Sequence, residues 1–181
     1  YMQGDPIGRV DWSVYARTDK YVIRRFHDEV NIRANILLDT SESMAFKNMG
    51  SMSKMDYGCH LAAALMYVMG NQGDSTSLIT FDDDLRKMYE PAATFGALRP
   101  LLHGLEEFEP QGESDIEKAL AKATEFIKGR SLVIVISDLL RDPRETLKGI
   151  GNICYAGHDL TVFHVLDPAE ISLPQEGLIE V

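Results

Sequence analysis

The chain has 181 residues, the size of one globular domain with a substantial core and too short for two full domains. Asp and Glu number 28 against 18 Lys and Arg, a formal net charge of −10 that repels phosphate backbones and anionic lipid and argues against nucleic-acid or membrane-surface roles. Hydrophobic residues at 45% and charged residues at 25% exclude a disordered or fibrous chain, and the longest aliphatic run, Leu132 to Ile136, falls far short of the roughly 20 apolar residues of a membrane-spanning helix.

The chain opens at Tyr1 without an initiator methionine or a signal peptide, so further sequence is expected upstream. Tyr21 to Val30 reads as an extended edge segment. Ile32 to Asp39 closes on the apolar run Ile36-Leu37-Leu38 and reads as a buried strand. Ser53 to Gly70 follows as a helix, with Ser53 and Asp56 as a start signal, Gly70 as the stop, and Tyr57, Leu61, Leu65 and Val68 as its core stripe. Ser75 to Phe81 is a second strand, paired with Arg86 to Glu90 across the polar turn Asp82-Asp83-Asp84. Phe95 to Leu105 is apolar and helical in part, with Pro100 expected to break or restart it. Asp115 to Ile127 aligns Ile116, Leu120, Ala123 and Ile127 on one helical face, and Leu132 to Ser137 is the cleanest buried strand. Asp142-Pro143-Arg144-Glu145 supplies a cap, a first-turn proline and an acidic third residue for a helix running to about Tyr155, ended by Gly157. Asp159 to Leu166 and Leu178 to Val181 complete the strands.

Apolar strands separated by amphipathic helices define an α/β, doubly wound and mainly parallel sheet with helices on both faces and one antiparallel edge strand. Such folds bind ligands at the carboxyl ends of their strands, near the point where strand order reverses. The positions to inspect therefore follow Leu38, Phe81, Ile136 and Leu166. After the first strand comes Asp39-Thr40-Ser41-Glu42-Ser43, in which Ser41 and Ser43 turn their hydroxyls to one point while Thr40 and Glu42 point away. Ser137-Asp138 follows the later strand, and Gly112-Glu113-Ser114-Asp115 precedes a helix. Two carboxylates and three hydroxyls form an all-oxygen set suited to a hard cation such as Mg2+, with Mn2+ or Ca2+ as alternatives, and unsuited to zinc or copper. Each piece also has a structural explanation. Ser114-Asp115-Ile116-Glu117 is a capping box, and Asp138 serves equally as a cap or turn residue. An aspartate directly after so apolar a strand is nevertheless costly unless something there uses its charge.

Asp39-x-Ser41-x-Ser43, with Ser114 and Asp138, resembles the metal ion-dependent adhesion site of von Willebrand factor type A-like domains. That resemblance implies a metal site of Asp39, Ser41, Ser43, Ser114 and Asp138, hydroxyls binding directly and aspartates largely through water, completed by a carboxylate of a partner protein. Ser114 stands where threonine is usual. The opening Gly4-Asp5, Arg9 and Asp11-Trp12, followed by Ala16-Arg17, is similar to the corresponding segment of the bacterial family called domain of unknown function 58, which places it before a type A-like domain. Ser137-Asp138-Leu139 and Gly157-His158-Asp159 match that family too. The resemblance implies residues 1–30 as an N-terminal family segment and 31–181 as the type A-like domain. It also implies a partner, a MoxR-type AAA+ ATPase or its client, and a parent protein that sometimes carries membrane helices.

Asp5, Arg9, Asp11, Trp12 and Arg17 read as a docking surface or an arm, Trp12 itself more as a packing anchor. The Asp82-Asp83-Asp84 run reads as a solvated turn rather than a second cation site, and the five histidines show no ligand spacing. Cys59 and Cys154 read as small buried hydrophobes of a reducing, cytoplasmic compartment. The leading expectation is thus a non-enzymatic, cation-dependent interaction module. A Mg2+-dependent phosphotransfer enzyme stands second, short of a second aspartate, since Ser41 occupies its place, and of a lysine or arginine to hold phosphate. A scaffold with a degenerate metal site is third.

Overall fold

The computed structural model describes residues 12–20 and 31–171. The chain divides into two units, Tyr1–Val30 and Asn31–Val181. In the first, a short helix α1 (Trp12–Thr18) has no buried residue, and Trp12 is exposed and meets Tyr15 edge-on at 6.0 Å between ring centroids. Trp12 is therefore a surface aromatic here, not the packing anchor the sequence suggested. The Gly4 to Asp11 motif, the edge segment Tyr21 to Val30 and the strand at Leu178 to Val181 lie outside the described residues.

The second unit is built on β1 (Arg33–Asp39), α2 (Lys54–Asn71), β2 (Ser75–Phe81), β3 (Leu85–Ala92), α3 (Phe95–Leu105), α4 (Ile116–Phe126), β4 (Leu132–Ser137), α5 (Pro143–Tyr155), β5 (Asp159–His164) and the single turn α6 (Pro168–Ile171). The sheet order is β3-β2-β1-β4-β5, parallel throughout except for the β2–β3 hairpin. Strand order reverses at β1: β2 lies on one side and β4 on the other. The two faces follow from side-chain alternation along the strands. Ile36, Leu38, Leu78, Ile134 and Ile136 pack with α2 and α3, while Leu37, Ile79, Phe81, Val133 and Val135 pack with α4 and α5.

Three elements differ from their sequence reading. The buried face of α2 is Met55, Gly58, Ala62, Met66 and Met69, whereas Tyr57 and Val68 are exposed. Small residues decide the rotation: a Cβ on Gly58 would stand 3.1 Å from Leu38 Cδ1, so the helix lies close against β1 where a larger side chain would push it away. Helix α3 runs unbroken through Pro100, which forfeits one bond to Gly96, while buried Leu98, Leu101 and Leu105 hold the helix on the sheet. Strand β5 stops at His164, two residues short of Leu166. Cys59 is half-buried, with its thiol pushed up to about 11 by burial, but Cys154 is exposed on α5. None of the described helices is long and apolar enough to cross a membrane.

Candidate metal centre

The carboxyl ends of β1 and β4 flank the point of strand reversal, where an open α/β sheet parts to form a crevice. Asp39, the last residue of β1, is fully buried there. Its Oδ1 accepts the backbone N–H of Ser41 at 2.9 Å, and its Oδ2 accepts the hydroxyls of Ser114 at 3.0 Å and Ser137 at 2.6 Å. Burial raises the Asp39 pKa above the ordinary carboxylate value, against the opposing pull of bonds from Ser137, Ser41 and Ser114. The Ser41 and Ser43 hydroxyls stand 3.1 Å apart. Thr40 turns away and donates to Phe81 O at 2.9 Å, and Glu42 is exposed, as the alternation of this loop predicts. Asp39, Ser41, Ser43 and Ser114 are thus one cluster.

Backbone bonds hold the two serine-bearing loops together. Glu42 N–H donates to Gly112 O and Gln111 N–H to Thr40 O, both at 2.9 Å. Gly112 has φ +73, the left-handed region in which glycine escapes the Cβ clash. Beneath it lies Asp82, which is buried, not solvated as the acidic run suggested: its carboxylate accepts from Arg86 and from Asp84 N–H, and its carbonyl accepts Asp115 N–H at 2.8 Å. Half-buried Asp84 pairs with Lys122 at 2.6 Å. The capping-box alternative for Ser114 also resolves. Asp115 is the N-cap of α4, accepting Lys118 N–H at 2.9 Å, so the Ser114 hydroxyl is free of capping and goes to Asp39.

Asp138 differs from Asp39. Its Oδ1 accepts Leu140 N–H at 3.2 Å, and its Oδ2 accepts the ammonium of Lys54 at 2.8 Å. Lys54 opens α2, is 3% exposed, and also donates to Glu170 Oε1 at 2.8 Å. Burial disfavours its charge, but the bonds to Asp138 and Glu170 outweigh that, and its pKa is raised. Glu170 accepts Asp167 N–H at 2.7 Å through Oε2. The Asp167 carboxylate accepts the N–H groups of Asn48, Met49, Gly50 and Ala169 at 2.9 to 3.1 Å. Burial pushes its pKa up, yet those donors bring it down to about 2.

Sequence reasoning missed Lys54, Asp167 and Glu170 as parts of this end of the sheet, and it placed Ser137 there without a role. Nothing at a helix's first turn marks Lys54 as inward-facing. Asp167-Pro168-Ala169-Glu170 did carry a signal, since cap, proline and glutamate at that spacing start a helix. Over the hydroxyls opens a pocket of about 590 Å³ lined by Ser41, Ser43, Ser114, Phe46, Leu140 and Arg141 among others. A pocket of about 570 Å³ at the opposite edge of the sheet lacks such convergence, because its inward polar groups Asn35 and Ser77 satisfy each other at 2.7 Å. Among the described residues no three His, Cys, Asp or Glu side chains gather to hold an ion, so a cation at the first pocket would rely on hydroxyls.

Strand order, the antiparallel edge and helices on both faces define a von Willebrand factor type A-like fold. It is shared with BatB of Bacteroides thetaiotaomicron (TM-score 0.60, 20% identity, 73% of this chain and 65% of that one) and with an aerotolerance-related membrane protein of Bacteroides fragilis (0.61, 22%, 75% and 68%). The SpRpn10 VWA domain matches at TM-score 0.52 and 14% identity, over 74% of each chain. The chain belongs to the family described as Protein of unknown function DUF58, whose model matches residues 1–181. The uncharacterized protein Rv1480 of Mycobacterium tuberculosis is 26% identical over 98% of this chain, which spans 56% of the length of that curated relative.

Proposed function

We propose that the domain is a non-enzymatic protein-interaction module that holds a divalent cation, Mg2+ first and Mn2+ or Ca2+ as alternatives, and uses it to engage an acidic residue of a protein partner. The observation that carries this reading is the convergence of the Ser41, Ser43 and Ser114 hydroxyls around buried Asp39 beneath an open pocket. The donor chemistry fits a hard ion, with the three hydroxyls as direct ligands and Asp39 and Asp138 acting from behind. Bound there, the ion supplies an open coordination position for a carboxylate oxygen. Exposed Phe46 and Leu140 give the pocket an apolar rim suited to the residues beside that carboxylate. The family resemblance points to a MoxR-type AAA+ ATPase or its client as the partner, and to action in the cytoplasm.

A phosphotransfer enzyme is disfavoured. Asp39 has both oxygens engaged and no exposure, which removes it as the nucleophile that an aspartate-dependent phosphotransfer needs. Of the cations at this end of the sheet, Lys54 is buried and committed to two carboxylates, and Arg141, which lines the pocket, is paired with Glu113 at 2.6 Å. Calorimetric titration of Mg2+ and Mn2+ into wild type and Asp39→Ala, with a phosphate-ester assay alongside, tests the proposal. Saturable heat in wild type alone and no turnover are expected; absence of heat or robust turnover overturns it.

A further inference from the structure

Resting on that cation reading, we propose that Lys54 is the resident counter-charge of the site: its ammonium holds Asp138 back from the ion, keeps the ion's affinity modest and leaves its charge poorly neutralised for a partner's carboxylate. The two aspartates are treated differently by the fold. Asp39 is surrounded by hydroxyl and amide donors. Asp138, with its side chain 1% exposed, faces an ammonium at 2.8 Å. Formal charges of −1 each on Asp39, Asp138 and Glu170 and +1 on Lys54 sum to −2, and the ammonium is bonded to Asp138 and Glu170, so Asp39 is the one carboxylate of the three that Lys54 does not hold. A buried cation so close to one of two carboxylates weakens the field available to a second cation, because low-dielectric surroundings screen little.

The same ammonium also reaches the pocket wall. It lies 5.4 Å from the centroid of the Phe46 ring, and Phe46 lines the pocket. Its second partner, Glu170, is bonded to Asp167 N–H, and the Asp167 carboxylate clamps the N–H groups of Asn48, Met49 and Gly50 just beyond Phe46. Lys54 therefore links the ion site to the segment carrying one side of the rim. Release of Asp138 from Lys54 strengthens ion binding and loosens that segment's tie to the site.

The test is calorimetric titration of MgCl2 into the 181-residue chain, with circular dichroism confirming the fold of every variant. Lys54→Met/Glu170→Gln removes the ammonium together with one of its carboxylates, and it is expected to bind Mg2+ tighter than wild type by on the order of tenfold. Lys54→Arg and Glu170→Gln alone, which both leave a cation on Asp138, are expected to stay within about twofold of wild type. Should the double variant fail to fold, Lys54→Gln, which still donates a hydrogen bond without the charge, carries the same expectation of tighter binding. Measurable wild-type binding that is unchanged or weakened in the Lys54-neutral variants overturns the role of Lys54 while leaving the cation site standing. Absence of binding in wild type and variants alike overturns the cation reading and this inference with it.

Discussion

Replacing Lys54 with Met removes the charge and keeps most of the side-chain volume, so it isolates the ion triad from core packing. Lys54 donates at 2.8 Å to each of two carboxylates; the Asp138 side chain is 1% exposed and that of Glu170 24%. Loss of one partner from a buried pair costs about 3–5 kcal/mol, mainly through the charge left behind. Glu170 regains solvent contact, and Asp138 retains Leu140 N–H at 3.2 Å, which places the expected loss at the lower end, about 3 kcal/mol. A domain of this size shifts its Tm by roughly 2–4 °C per kcal/mol, so about 6–12 °C is expected. Urea unfolding in EDTA at pH 7 should be followed by far-UV circular dichroism, because the lone tryptophan, Trp12, belongs to the other unit. A loss within about 0.5 kcal/mol of zero, the range of an ordinary surface substitution, would refute the buried triad.

Asp167→Asn tests the clamp on residues 48–50. The carboxylate's pKa is lowered from 3.8 to about 2, so its contribution is fully present above about pH 4 and disappears as pH falls through about 2. The melting-temperature gap between wild type and Asp167→Asn is therefore expected to be widest above pH 4 and to close towards pH 2; a gap independent of pH contradicts the clamp. Ser114→Ala and Asp115→Ala separate ion binding from helix capping at adjacent positions. Asp115→Ala should cost about 1 kcal/mol in urea unfolding and keep the Mg2+-induced rise in Tm, while Ser114→Ala should abolish that rise. The reverse pattern would return Ser114 to a capping role.

Alternating strands and helices disclosed the parallel sheet, because continuous apolar runs such as Leu132 to Ile136 leave little choice but burial on both faces. The Asp39, Ser41 and Ser43 cluster was legible for a related reason: residues directly after a central strand have nowhere to go but the sheet's carboxyl edge. The rotation of α2 was not legible, since it depends on Gly58 fitting against Leu38, a contact between residues 20 apart in sequence. The inward ammonium of Lys54 depends on Asp138 and Glu170, which lie 84 and 116 residues further on. Asp82 illustrates the same limit. An acidic run looks solvated until Arg86 and the Gly112 loop close over its first member.

The most direct measurement is a crystal structure of the chain grown with Mn2+, read by anomalous scattering. One peak is expected within direct coordination distance of the Ser41, Ser43 and Ser114 hydroxyls, beside Asp39, roughly 2.0–2.2 Å from its oxygen ligands, and absent from Asp39→Ala. An ordered site with no peak at saturating Mn2+, or a peak only at the Asp82 to Asp84 turn, would contradict it.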